Sequence, residues 1–342
     1  MPIAFITGVT GQDGSYLTEL LLAKGYHVHG LVRRASMFNR SRIEHLRSDP
    51  GIYNKSLFLH YADLSDATTL RRLLLRIKPN ELYHFAGQSH VGLSFEIPES
   101  TVQDAALSCL TLLEICRDLP NPIRFYHAAT SEVFGATEEA PQKESTPMRP
   151  ISPYGCAKAF ATQICRVYRE AYGIPVCSGI AYNHESIRRG ENFVTHKIAK
   201  GAIQASRGAG LPLRLGNLAA TRDWGYAPEY VEGMWKMLQL KSPRDLILAT
   251  GKECSVRDFS KAAYAAAGVT LAFEGQGVKE VGRNVKTGSV LIQVDSVFFR
   301  PLEPHRLVGD ASQAKQSIGW EAKTCAQELA GRLVRELQAI PS

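Results

Sequence analysis

The chain has no apolar run near the roughly 18 uninterrupted residues that a membrane-spanning helix needs, so no membrane partner is expected. It has no Cys-x-x-Cys pair and no Cys/His spacing of the zinc-finger kind, although cysteines stand at 109, 116, 156, 165, 177, 254 and 325. An odd number of cysteines, on a chain whose first strand begins within three residues of the start, predicts reduced thiols, no bound metal and a cytoplasmic location. Blocks of like charge are also missing. The net charge is +7, but apart from the pairs Arg33-Arg34 and Arg188-Arg189 the basic residues are scattered. No basic tail or interleaved aromatic platform is present, so nucleic acid is not the expected partner, and an anionic small molecule suits the charge better. Repeats and low-complexity tracts are absent. With 44% apolar and 21% charged residues, the composition is that of a folded globular chain.

The sequence does contain alternation. The apolar run Ile3 to Ile6 is followed by a helical pattern from Ser15 to Lys24, and then come Val28 to Val32, Leu57 to His60, a helix over Ala67 to Ile77, Glu81 to Phe85, one long helix ending at Leu119, and Ile123 to His127. Strand and helix repeated in this way predict an α/β fold of the Rossmann type, a doubly wound parallel sheet covered on both faces. After residue 182 the alternation loosens. Helices are expected at Phe193 to Ser206 and Tyr230 to Leu240, and Glu274 to Ser289 reads as a polar, glycine-rich stretch. The expected division is therefore residues 1–182 for a cofactor domain and 183–342 for a smaller substrate-binding region interleaved with it.

Thr7-Gly8-Val9-Thr10-Gly11-Gln12-Asp13-Gly14 follows a strand and opens a helix, the setting of a dinucleotide fingerprint. Gly8 permits the tight turn, Gly11 a close approach to a pyrophosphate, and Gly14 close helix–strand packing, while the helix start offers free N–H groups to the phosphates. The second strand ends in Arg33-Arg34-Ala35-Ser36 rather than in an acid. A guanidinium pairs with a 2′-phosphate, so NADP is expected over NAD; a solvated arginine pair is the plainer alternative. Asp63-Leu64 ends the third strand, where the adenine would lie, and Phe85-Ala86-Gly87-Gln88-Ser89 ends the fourth, with residues small enough to let the cofactor pass.

Tyr154 and Lys158 stand four apart at the start of a helix introduced by Ser152-Pro153, hence on one face, where the ammonium can lower the phenol's pKa. Thr130 directly follows the fifth strand and completes a hydroxyl/phenol/ammonium set for hydride transfer at a carbinol carbon. Glu132 adds what a simple reductase does not need, a carboxylate able to take a proton from the carbon next to a new ketone.

These residues, with GQSHVGLSFE, NHESIRRGENFVTHKI, LGNLAATRDWGYAPEYVEGMW, ATGKECSVRDF and FFRPLEPHRLVGD, resemble the GDP-mannose 4,6-dehydratases through nearly the whole chain. The resemblance implies that Thr130, Glu132, Tyr154 and Lys158 are catalytic and that His184 and Arg189 help enclose NADP. It implies that Ser89, Glu132, Asn183, Lys197, Gly216, Arg222, Glu303 and Arg306 face a GDP-sugar. It also implies a homo-oligomer, a tetramer or a dimer, in which the loop of about residues 34–47, with Ser36, Asn39 and Arg40, reaches toward a neighbour's cofactor.

The chain departs from the family pattern at Ile187, Ile151, Ala181, Phe85 and Gly87, near Met148 and Arg149, and at Ser100, near which a tyrosine is usual. None of these is a catalytic position, but altered pocket residues could admit a longer sugar. A GDP-manno-heptose 4,6-dehydratase is therefore the alternative within the class. A nucleotide-sugar epimerase or reductase, needing Tyr154 and Lys158 but not Glu132, and a non-catalytic NADP sensor are the more distant ones.

Overall fold

The computed structural model describes residues 1–33, 40–304 and 306–340. Its centre is a sheet of β1 (Ile3–Thr7), β2 (His27–Val32), β3 (Leu57–Tyr61), β4 (Glu81–His84), β5 (Arg124–Thr130), β6 (Val176–Ala181) and a seventh strand, Leu246–Leu248. The order across the sheet is Leu246–Leu248, β6, β5, β4, β1, β2, β3, with every neighbouring pair parallel. The last strand is supplied from far beyond residue 182, so the later half of the chain contributes directly to the central sheet.

Successive side chains in a strand point to opposite faces, and both faces here are covered. Ala4 and Ile6 pack with Leu17, Leu21, Val231 and Met234 from the helices Gln12–Ala23 and Ala227–Leu238. Phe5, between them in β1, packs the other way, with Leu70, Leu74, Leu112 and Ala161 from the helices Ala67–Ile77, Ser108–Asp118 and Pro153–Tyr172. A second core, with Ile198, Phe259, Leu329 and Leu333, forms among the helices Val194–Ser206, Val256–Ala266 and Ala326–Gln338.

Boundaries set by a side chain agree with the sequence reading. The helix Ala67–Ile77 starts where the Asp66 carboxylate accepts a bond from the Thr69 N–H at 2.9 Å. Boundaries set by tertiary pairing differ. β5 runs on to Thr130 because its ladder with β6 continues through Ala128–Gly179 to Thr130–Ala181, whereas apolar periodicity ended it at His127. The first helix starts at Gln12, one turn before the expected Ser15, because Gln12, Asp13 and Gly14 carry no apolar stripe. The single long helix ending at Leu119 is instead Pro98–Val102, a π-turn over Gln103–Leu107 and Ser108–Asp118. The polar stretch after Glu274 contains a strand, Val281–Asn284, paired with Leu271–Glu274 and Val290–Val294. Among the described residues no helix is long and apolar enough to cross a membrane.

Candidate active site at the carboxyl ends of the strands

The turn after β1 is shaped by backbone crowding. Gly8 has φ +76°, and a Cβ there would lie 2.8 Å from the Ala86 nitrogen; a Cβ at Gly14 would collide with the Gly8 carbonyl. Only glycine lets β1, β4 and the first helix converge so tightly. The free helix start faces a cavity of about 590 Å³ lined by Gly8, Thr10, Gly11, Gln12, Asp13 and Gly14, by Arg33, Asp63 and Leu64, and by Phe85 through Ser89. Arg189 lines it too. Ser36 and Asn39 lie outside the described residues. Leu31, Ala62, Ile97, Ser100 and Asp104 complete the wall, and none of them was expected from sequence to line a cofactor site; the last three arrive through the helical segments after β4, whose break the apolar pattern did not show.

The segment after β6 closes the cavity by docking on the glycine turn. His184 Nδ1 donates to the Tyr182 carbonyl at 2.7 Å, and Nε2 faces Asp13 Oδ2 at 3.0 Å. Gln12 Nε2 donates to the His184 carbonyl at 3.0 Å, and Ser186 Oγ donates to Gln12 Oε1 at 2.9 Å. Burial alone would lift Asp13 and depress His184. The charge of each on the other, with their hydrogen bond, overcomes this, so the carboxyl is held below its ordinary range and the imidazole above its own. Arg189 stacks over Phe193 at 3.7 Å and reaches Glu185 at 3.4 Å. Its neighbour Arg188 is taken up structurally, by Glu19 at 2.6 Å and the Tyr16 ring at 4.0 Å.

At the end of β5, Thr130 Oγ1 accepts from the Glu132 N–H at 3.3 Å. Glu132 is 7% exposed, turned into the protein rather than toward solvent. Ser152 caps the helix Pro153–Tyr172, its hydroxyl accepting from the Gly155 N–H at 3.0 Å. A Cβ at Gly155 would lie 2.8 Å from the Glu132 carbonyl, so the absence of a side chain lets the first turn sit directly against Glu132. Tyr154 and Lys158 project from that turn, both buried.

Burial, and then the Glu132 charge, push the Tyr154 phenol up to about 12, against opposing pulls from Arg189 and the Thr130 hydroxyl. Lys158 is brought down to about 8 by burial, and its Nζ donates to the Ala128 carbonyl at 2.8 Å. The lowered phenol pKa expected from the Tyr/Lys spacing is therefore not present, because burial and the Glu132 charge outweigh the pulls of Arg189 and the Thr130 hydroxyl.

Glu132 also has a partner that sequence reasoning missed. Arg300 Nη1 lies 3.2 Å from Glu132 Oε1. The two are far apart in sequence, and the only hint was that Arg300 belongs to the FFRP run. The other expected substrate residues lie on segments of the later half of the chain. Asn183 opens the strand Asn183–Glu185. Lys197 sits over the Phe298 ring at 4.8 Å, and a Cβ at Gly216 would lie 2.8 Å from the Phe298 carbonyl. The buried Arg222 pairs with Glu303 and donates to the Thr221 carbonyl at 2.7 Å. Arg306 faces outward and pairs with Glu253 at 2.9 Å rather than with Glu303.

A family model described as GDP-mannose 4,6 dehydratase matches residues 5–333. A GDP-mannose 4,6-dehydratase of Vibrio cholerae is 49% identical over 345 residues, covering 97% of this chain and 93% of that protein. The human GDP-mannose 4,6 dehydratase is 46% identical over 335 residues, covering 97% and 90%. Among solved structures, dTDP-glucose 4,6-dehydratase from Bacillus anthracis in complex with NAD superposes with a TM-score of 0.80 over 99% of this chain and 97% of that one, at 17% identity. UDP-glucose 4-epimerase from Thermus thermophilus, also in complex with NAD, gives 0.78 over 98% and 99%, at 24% identity. These two likenesses are of fold.

Proposed function

The chain belongs to the GDP-mannose 4,6-dehydratase family, and from that premise we propose that it removes water from GDP-mannose, giving GDP-4-keto-6-deoxymannose with NADP as the internal hydride carrier. The observation that carries this reading is the buried carboxylate of Glu132, close enough for its charge to act on the Tyr154 phenol. An epimerase or reductase has no use for such a group.

The cavity suits a dinucleotide on its own evidence: glycine-only crowding at Gly8 and Gly14 beside a helix start whose first N–H groups are free. Arg33 supports NADP over NAD, since a guanidinium on the cavity wall complements a 2′-phosphate. Lys158 would hold the nicotinamide ribose, and Arg189 with the Asp13–His184 pair would close the site. A nicotinamide held there would supply the hydride chemistry, as acceptor for sugar carbon 4 and donor for carbon 6.

Tyr154, which must first be brought to its phenolate form in the loaded site, takes the proton of the 4-hydroxyl, with Thr130 orienting that hydroxyl. Once carbon 4 is a ketone, carbon 5 is acidic, and Glu132 takes its proton. The same carboxyl, now protonated, gives that proton to the departing 6-hydroxyl, which leaves as water, and the proton held by Tyr154 returns to carbon 5 as carbon 6 is reduced, so that both side chains regain their starting states. Ser89, Asn183, Lys197, Gly216, Arg222, Glu303 and Arg306 form the GDP-sugar side, where the cations suit a diphosphate. Residues 1–182 serve the cofactor and 183–342 shape the substrate cleft, joined through the strand Leu246–Leu248. Apolar Val102, Leu107, Phe160 and Val167 are exposed on adjoining helical segments, which supports a homo-oligomer built on that face.

The test is to offer GDP-mannose and GDP-manno-heptose in parallel to wild type and to Glu132→Gln, and to weigh the products. Wild type is expected to remove one water from GDP-mannose. A variant that dehydrates at the wild-type rate would overturn the role of Glu132, and dehydration of the heptose alone would overturn the substrate.

A further inference from the structure

Beneath the catalytic helix, on the face of the sheet away from the glycine turn's helix, lies a cluster with no part in the reaction. His84 ends β4, His127 lies within β5, Cys109 is in the helix Ser108–Asp118 and Cys165 is in the helix Pro153–Tyr172. All four are at most 1% exposed. Among the described residues, His84, Cys109 and His127 form a group whose nearest donor atoms all lie within 4.8 Å of one another. Cys109 Sγ is 3.6 Å from His127 Nδ1 and 3.6 Å from Cys165 Sγ.

A tetrahedral zinc ion with Zn–S near 2.3 Å and Zn–N near 2.0–2.1 Å sets its ligand atoms about 3.4–3.8 Å apart. Both separations from Cys109 fall in that range. The thiols are free, with no disulfide. His127 is fully buried; its Nδ1 faces Cys109 Sγ, while among the described residues its other ring nitrogen, Nε2, has no hydrogen-bond partner. His84 is held at both ring nitrogens: Thr7 Oγ1 at 2.8 Å on Nδ1 and Ser108 Oγ at 3.2 Å on Nε2. Ser108 has a second acceptor, the Asp104 carbonyl, so its hydroxyl stays satisfied if Nε2 turns to another partner.

The geometry points to a structural metal site for a thiolate- and imidazole-preferring divalent cation, zinc by its chemistry, held by Cys109, His127, His84 and Cys165. Soft sulfur with neutral imidazole is the donor set that selects such an ion over magnesium or calcium. Binding releases the two thiol protons, and the two thiolates offset the double charge of the ion, so the filled site carries no net charge into the core. Cys165 lies outside the tightest three-residue group and joins by a side-chain shift toward the imidazoles. The ion would tie β4 and β5 to both helices, directly under the turn that carries Tyr154 and Lys158.

The experiment is metal analysis of the full chain purified from zinc-supplemented cells and dialysed, beside Cys109→Ser, His127→Gln and, as a control, Cys156→Ser at an exposed cysteine. Wild type and Cys156→Ser are expected to carry about one zinc ion per chain, and the other two less than about a tenth of that, with helical circular dichroism unchanged. Should both core variants fail to fold, cobalt-grown wild type decides, a thiolate-to-cobalt absorption band being the expected result. Zinc-free wild type without that band, or a folded Cys109→Ser that keeps its zinc, would overturn the site.

Discussion

Arg300 reaches across the cleft to Glu132, Nη1 to Oε1 at 3.2 Å, so the carboxylate given the central role in elimination is held by a guanidinium from the far end of the chain. Truncating one member of a largely buried charged pair leaves the other desolvated and without its partner. Arg300→Met is therefore expected to lower kcat/KM by about tenfold or more, and Arg300→Lys to recover most of it. Steady-state kinetics on the two variants, with circular dichroism to confirm folding, checks this. Equal activity in the methionine variant would show the pair to be idle.

Tyr154→Phe removes the group proposed to take the 4-hydroxyl proton but keeps the ring's packing. Turnover should fall by about 10²–10⁴-fold while cofactor binding, followed by fluorescence titration, stays near wild type. A phenylalanine variant that turns over normally would leave the helix start without a chemical role.

Gly155→Ala places a methyl group 2.8 Å from the Glu132 carbonyl. The first turn must then move away from Glu132, at a cost of about 1–3 kcal/mol. Thermal melting should register that loss, and activity should fall by more than the loss of folded protein explains. An alanine variant as stable and as active as wild type would disprove the close approach.

The Asp13–His184 pair makes stability depend on pH in two directions. His184 is raised above its ordinary value, so its contribution is complete below about pH 6.5 and is lost as pH rises through the folded-state value. Asp13 is lowered, so its contribution is present above about pH 4 and is lost as pH falls through its folded-state value. Melting temperatures of wild type and His184→Gln should therefore differ most in mildly acidic buffer and converge as the pH is raised. A gap that stays constant from acid to alkaline pH would show that the imidazole is not charged.

Arg33→Gln should weaken NADP binding by about 10–100-fold, the worth of a charge-assisted hydrogen bond, and leave NAD binding nearly unchanged. Cofactor titrations with the pair of dinucleotides decide it, and equal weakening for both would remove the 2′-phosphate from the argument.

Much of the site could be read along the chain because its parts are local. Glycines 8, 11 and 14 lie within one turn, Thr130 and Glu132 are two apart, and Tyr154 and Lys158 are one helical turn apart. Such spacings translate into geometry through helix and strand periodicity alone. The extension of β5 to Thr130, the π-turn that brings Asp104 to the cavity and the strand after Glu274 were not legible. Each depends on a neighbour's ladder or packing rather than on its own apolar pattern.

The sequence by itself determined the alternation of strand and helix, the glycine turn and the local placement of Thr130, Glu132, Tyr154 and Lys158 on their elements, since these rest on backbone sterics and short-range spacing. Tertiary structure alone decided which distant charges meet: Arg300 with Glu132, Arg222 with Glu303, His184 with Asp13. It also decided that Tyr154 is pushed up rather than down, and that two histidines and two cysteines with no telling spacing converge under the catalytic helix. Desolvation and contacts between remote segments are properties of the packed chain, and no local pattern encodes them.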